Sequence, residues 1–234
     1  MAVAKVEFRR ARAHTRYRLA DNTIVPGVTT ITGLIDKSHA LVPWSNDLGL
    51  RGYDVKAYTD PLKGVGTLGH ARIIADLTGA SLSEDLDEYS KKEIDLSDNC
   101  LLSWWKFKEE HRFGKIYDCE KPRVSERYKF GGTIDIPAVI DDYLTILDLK
   151  TGSGIYEDYL VQVAAYCHLF EEVEGEKSER IILLNVPRTP DEEYDPATFG
   201  QKAIDVGWRY FLNKLEEHHL KKELTPVFKR RGGF

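Results

Sequence analysis

The spacing of apolar positions along this chain changes period several times, and each change predicts an element. Residues 6–25 read as two short strands around the polar pair Asp21 and Asn22, with Arg10, Arg12, Arg16 and Arg18 at even spacing and so on one strand face. Residues 28–35 predict a helix with Thr29 or Thr30 near its cap, followed by a loop carrying Pro43 and Trp44. Over residues 66–77, Leu68, Ile73, Ile74 and Leu77 recur at helical intervals. Gly79 is placed to stop that helix, and His70 falls early in it. The acidic, polar stretch 81–97 suits an exposed excursion, and 101–113 predicts a further helix.

Over residues 123–150 the period becomes two. Phe130, Ile134, Ile136, Ala138 and Ile140 share one parity, Asp141 and Asp142 supply a turn, and 143–150 forms the returning strand. Helical spacing resumes over 156–172 through Leu160, Val163, Ala164, Cys167 and Phe170. The continuously apolar run 181–186 predicts a strand buried on both faces, ended by Pro187, and a last helix covers 199–222. This order predicts an α/β fold in which a mixed central sheet is flanked by helices, with an N-terminal hairpin as an extension.

The predicted hairpin has a chemical consequence. If Asp141 and Asp142 are its turn, Ile140 opposes Tyr143 and, following the register back, Asp135 opposes Asp148. Opposed residues have Cβ atoms about 4.5–5.5 Å apart, where two like charges destabilise a sheet. A divalent cation between them removes the repulsion. Lys150 lies two residues beyond Asp148 and shares its face. Mg2+, or Mn2+ in its place, suits such a site, because a hard ion is held by one or two carboxylates and keeps several waters; the Leu149 carbonyl is a further candidate ligand. A cation there can polarise a phosphate and acidify a water while Lys150 stabilises developing charge, a combination suited to phosphodiester hydrolysis. The spacing alone is common and exposed hairpins often carry charge. Ile146, Leu147 and Leu149 nevertheless mark this strand as buried, where unpaired ions are costly.

Composition narrows the picture. A chain of 234 residues with 42% hydrophobic content predicts one soluble globular domain. Within it, 1–27 forms a basic hairpin, 28–119 a helical part carrying His70, 120–190 the catalytic hairpin, helix and strand, and 191–234 a C-terminal helix with a basic tail. The net charge of −5 excludes nucleic-acid binding through bulk charge, so any DNA contact is local. Lys5, Arg9, Arg10, Arg12, Arg16 and Arg18 against the single acid Glu7 make the N-terminus the candidate phosphate track. Trp44, Trp104 and Trp105 are either base-stacking surfaces or core. The three cysteines lack any C-x-x-C pairing, which predicts a reducing cytoplasm, and no apolar run is long enough to span a membrane.

Three motifs occur in order: G-G-T-I-D (Gly131 to Asp135), L-D-L-K-T-G (Leu147 to Gly152) and Q-V-A-A-Y (Gln162 to Tyr166). Together they resemble the PD-(D/E)XK nuclease superfamily, particularly its RecB-like exonuclease branch. The upstream V-P-G-V-T-T-I, P-W and G-T-L-G-H segments are similar to phage-type and mitochondrial genome maintenance exonucleases. The resemblance implies a restriction-endonuclease-like core and a metal-dependent DNA exonuclease, with a restriction-type or structure-specific endonuclease, or a silent DNA-binding subunit, as alternatives. It implies metal ligation by Asp135 and Asp148 with His70 nearby, Lys150 as catalytic lysine, and Gln162 and Tyr166 contacting DNA or bracing that lysine. Thr151 would contact substrate, and Glu120 resembles a common acidic position without an assigned role. Relatives that carry an iron-sulfur cluster use four cysteines, so none is expected here. The implied substrate is DNA, single-stranded or with free ends, in a bacterial or phage-infected cytoplasm, with room for a recombination or single-strand-binding protein as partner.

Overall fold

In the computed structural model of this chain, which describes residues 5–6, 15–82, 86–192 and 194–229, the first elements are β1 (Lys5–Val6), β2 (Tyr17–Arg18), β3 (Ile24–Val25), α1 (Val28–Thr32), α2 (Ser38–Leu50), α3 (Val55–Thr78), β4 (Ser81–Leu82) and α4 (Lys91–Glu110). There follow β5 (Phe113–Ile116), β6 (Pro122–Ser125), β7 (Phe130–Thr133), β8 (Ile136–Ile140), β9 (Tyr143–Lys150), α5 (Glu157–Glu174), β10 (Arg180–Asn185), β11 (Asp195–Gly200) and α6 (Gln201–Lys229).

The central sheet has the order β11-β10-β9-β8-β5. Its one parallel pair, β9 with β10, is joined through α5, as parallel neighbours must be joined by a crossover. The other pairs are antiparallel, so the sheet is mixed. Alternation along β10 explains its unbroken apolar run. Ile181 and Leu183 face α1, α5 and α6, whereas Ile182 and Leu184 face α3 and α4, and all four are buried. Helices therefore cover both faces. Close approach of α5 and α6 requires Gly207, where an added Cβ would stand 2.7 Å from Ala164 Cβ. No helix among the described residues is long and apolar enough to cross a membrane.

The hairpin turn is as expected. Asp141 and Asp142 have φ of 50° and 71°, the left-handed pair of a two-residue turn whose twist matches its strands. The ladder then runs from Ile140↔Tyr143 to Ile136↔Leu147 in the predicted register. The expected common parity of 130–140 does not hold throughout. Ile134 packs with α5, while Ile136, Ala138 and Ile140 pack toward α3 and α4, because the chain bends at Asp135 between β7 and β8.

Other boundaries moved for local reasons. Helix α3 starts at Val55, well before residue 66: Asp54 caps it by accepting from the Ala57 N–H at 2.8 Å, and the exposed first turns, with Pro61 inside, carry no apolar stripe to read. His70 is accordingly far along the helix. The stretch 81–97 contains the start of α4, where Ser90 and Glu93 form a reciprocal capping box. That helix ends at Glu110, and Phe113 opens β5. Strand β11 precedes α6 and pairs with β10, where the apolar spacing predicts no strand. Among the described residues the N-terminal hairpin comprises β2 and β3, and β1 pairs in parallel with β4. Arg10 and Arg12 lie outside the described residues. Arg16 precedes β2 and is exposed, and the exposed Arg18 donates to the Asn22 carbonyl of its own turn at 3.0 Å.

Candidate functional site

The site is a fork where β8 leaves β9. Continuing the ladder one hydrogen-bonded pair past Ile136↔Leu147 would join Ile134 to Leu149. Instead the Ile134 carbonyl accepts from the Glu120 N–H at 2.8 Å, and the Leu149 N–H donates to Asp135 Oδ2 at 2.9 Å. A carboxylate thus takes the place of a backbone acceptor. The Lys150 carbonyl faces β10, where it accepts from the Val186 N–H at 2.7 Å, so by strand alternation the Leu149 carbonyl faces the fork.

Three side chains from separate elements meet there. His70 of α3, Glu120 of the β5–β6 connection and Asp135 each offer a ligand atom, and these atoms lie within 4.8 Å of one another. His70 Nδ1 stands 3.5 Å from Asp135 Oδ2 and 3.9 Å from Glu120 Oε1. Glu120 adopts φ 53°, held by its bond to the Ile134 carbonyl. Asp148 is only 2% exposed. Its Oδ2 lies 2.5 Å from Lys150 Nζ without the angles of a hydrogen bond, and no other described group satisfies that buried oxygen. The Lys150 ammonium also sits 4.5 Å above the Tyr159 ring.

Glycines let these parts approach. A Cβ on Gly66 would stand 2.9 Å from Thr151 Oγ1, and one on Gly69 would stand 3.2 Å from Cys100 Cβ, so the G-T-L-G-H segment lets α3 lie against the end of β9 and against α4. In G-G-T-I-D, a Cβ on Gly131 would fall 2.3 Å from Tyr17 Cγ and one on Gly132 2.7 Å from Tyr166 Cε1. Tyr17 also hydrogen-bonds Thr133 Oγ1 through its hydroxyl at 3.0 Å.

Crowding of charge perturbs ionisation. Burial, followed by the neighbouring Asp148 and Glu120 charges, outweighs His70 and pushes Asp135 up to about 7. Burial alone would lower His70, but Asp135 and Glu120 prevail and raise it. Lys150 behaves likewise: desolvation opposes its charge, yet Asp148 and Asp135 raise it. Tyr166 is held well above the usual tyrosine range, first by burial and then by Asp148 and Asp135, so its hydroxyl stays protonated beside them. Gln162, one turn earlier on α5, donates to the Tyr166 hydroxyl at 3.0 Å.

Thr151 lines a cleft of about 450 Å³ that opens from His70 and Lys150 and extends past Gly66, Tyr159, Lys63 and Arg188. In the sequence Glu120 shows only as a common acidic position without a role, and nothing there marks Tyr159, Asn185 or Arg188. Asn185 is buried, and with its amide nitrogen turned toward them it donates to the Lys150 carbonyl at 3.1 Å and the Gly152 carbonyl at 3.0 Å. Its only prior signal was a polar residue at the end of an apolar strand. Trp104 is core, Trp105 donates to Asp76 at 3.0 Å from a half-exposed face, and Trp44 is 40% exposed.

Two carboxylates and an imidazole with ligand atoms within 4.8 Å of one another, His70, Glu120 and Asp135, fit a divalent cation, whereas Asp148 is outside that group, with its Oδ2 against the Lys150 ammonium at 2.5 Å. No family model and no curated protein matches the chain. Among solved structures, a "Putative exonuclease" from Eubacterium rectale is similar at 15% identity and a TM-score of 0.45, over 67% of this chain and 64% of that one. This chain therefore spans less than two thirds of that protein. An alkaline exonuclease from Laribacter hongkongensis is similar at 14% identity over 68% of this chain and 84% of that one, with TM-scores of 0.30 and, in its complex with dAMP, 0.31.

Proposed function

We propose that this chain is a metal-dependent deoxyribonuclease of the PD-(D/E)XK class that works from DNA ends as an exonuclease, in recombination, repair or phage genome processing. The observation that carries the reading is the fork itself. A hairpin in the register that opposes Asp135 to Asp148 opens at that point, with His70, Glu120 and the Leu149 carbonyl turned toward the gap and Lys150 beside it.

In this reading Asp135 and Asp148 would hold the ion, Mg2+ or Mn2+, with His70, Glu120 and the Leu149 carbonyl as further candidate ligands. When bound, the ion supplies Lewis acidity to the scissile phosphate and lowers the pKa of the attacking water. Lys150 keeps its proton at Nζ and presents a fixed positive charge to the oxygen on which negative charge develops, in a site dry enough for that charge to count. The Tyr159 ring restricts where the ammonium lies. Gln162 orients the Tyr166 hydroxyl, whose retained proton is available to a phosphate oxygen. DNA, single-stranded or with free ends, is the substrate, and Thr151 meets it in the adjoining cleft. Arg16 and Arg18 remain candidate phosphate contacts at the N-terminal hairpin.

The test is digestion of end-labelled single- and double-stranded oligonucleotides in Mg2+, Mn2+ or chelator, with Asp148→Ala alongside. Cleavage is expected only with metal, and Asp148→Ala should lower it by at least about a thousandfold, near the loss of one strong transition-state contact, while DNA binding persists. Undiminished cleavage by the variant places the chemistry elsewhere.

A further inference from the structure

The cleft beside the fork has an unusual charge balance for a protein of net charge −5. Its ionisable lining comprises Lys63, His70, Lys150, Arg188 and the tyrosine Tyr159, with no carboxylate. Three of the four basic groups are already engaged: Lys63 with Asp60 at 2.9 Å, His70 toward Asp135 and Glu120, and Lys150 with Asp148. Arg188 has no carboxylate partner among the described residues. It is also held in place. The Asn99 amide donates to its backbone carbonyl at 2.9 Å, and its own NH1 donates to the Leu62 carbonyl of α3 at 3.2 Å. One NH1 bond leaves most of a five-donor guanidinium for something else.

Distance along the chain places that something. Val186 is hydrogen-bonded to Lys150, and Arg188 follows two residues later, across Pro187. Lys150 and Arg188 line the same cleft, so a strand seated at Lys150 runs past Arg188. Resting on the nuclease reading above, we infer that Arg188 is a phosphate-binding residue for the nucleic-acid strand, gripping the phosphate next to the scissile one, with Thr151 and Lys63 along the same wall. The planar guanidinium supplies paired donors to phosphate oxygens, as an ammonium cannot. Arg188 thus fixes the strand's position relative to Lys150 without touching the reacting atoms.

The experiment measures binding in a cleavage-dead background, Asp148→Asn, so that its outcome does not depend on catalysis. Fluorescence anisotropy with single-stranded oligonucleotides, each carrying one neutral methylphosphonate at a successive position, is compared for that protein and for the same protein with Arg188→Gln. Glutamine keeps a donor for the Leu62 carbonyl and removes the charge. Binding of unmodified DNA should weaken about ten- to a hundredfold, the range for a charged hydrogen bond, with Tm unchanged. One methylphosphonate position should cost Asp148→Asn a similar factor and cost the double variant nothing further, because the two changes remove the same contact. Additive losses at every position, equal binding by both proteins or no DNA binding by either overturns the subsite. Cleavage of DNA by the unaltered enzyme alongside additive losses overturns the subsite and leaves the nuclease reading standing; binding with the expected non-additivity and no cleavage under any metal does the reverse.

Discussion

Asp135 illustrates how one side chain can serve both backbone and site. It closes the open end of a ladder by accepting from Leu149 and faces His70 with the same oxygen, Oδ2. Without metal its carboxyl is raised to about 7, and His70 is raised as well. Both groups bind protons more tightly folded than unfolded, so their ionisation disfavours folding as pH rises. For Asp135 the stabilising contribution is complete below 3.8 and lost by about 7, and for His70 the loss begins above 6.5. His168 and His218 are lowered, first by burial, and act in the opposite direction. Comparison with Asp135→Asn removes their effect. In chelator, the Tm of the unaltered protein should fall between pH 5 and 7.5 relative to that variant, and Mg2+ or Mn2+ should raise it most at the upper end, where fewer protons compete for the ligands. Calorimetry across this range checks both; a metal-free Tm difference that grows with pH in favour of the unaltered protein contradicts the burial of this charge. Glu120 carried no comparable signal in the sequence, since its approach to His70 depends on a loop held by the Ile134 carbonyl.

The hairpin β8–β9 transmits a turn choice to the site. Asp142 adopts φ 71°, a region where a side chain costs energy and glycine does not, and its exposed ion pair with Arg112 contributes little. Asp142→Gly should therefore stabilise the protein by about 0.5–1 kcal/mol, read from chemical denaturation, with cleavage unchanged. Asp141 differs, because its carboxylate accepts from the Arg112 N–H at 2.9 Å and contacts His111 Nδ1 at 2.6 Å, fastening the turn to the start of β5. Inserting one glycine between Asp141 and Asp142 should abolish cleavage while a folded sheet persists by circular dichroism, because a one-residue slip sends alternate side chains to the opposite face. Retained activity in the insertion variant means that the register does not set the site. Period-two patterning made this hairpin legible in advance. The bend at Asp135 was not, because Ile134 and Ile136 look alike in sequence and only the packing of α5 against one and of α3 and α4 against the other separates them.

At the level of the assembled chain, the proposed DNA contact is a local one, since the net charge is acidic while the ionisable groups lining the cleft are Lys63, His70, Lys150, Tyr159 and Arg188. If the strand enters by a free end, linear DNA should be degraded while covalently closed circles of the same sequence survive, scored by gel electrophoresis over a time course; equal loss of both forms favours the endonuclease alternative. Local patterning determined the hairpin, its turn, its register and the helix carrying Gln162 and Tyr166, because period, turn chemistry and apolar spacing act over a few residues. The meeting of His70, Glu120 and Asp135, and the placing of Arg188 beside Lys150, required the tertiary structure. These groups are far apart along the chain, and only helix-on-sheet packing and the parallel pairing of β9 with β10 bring them within reach of one another.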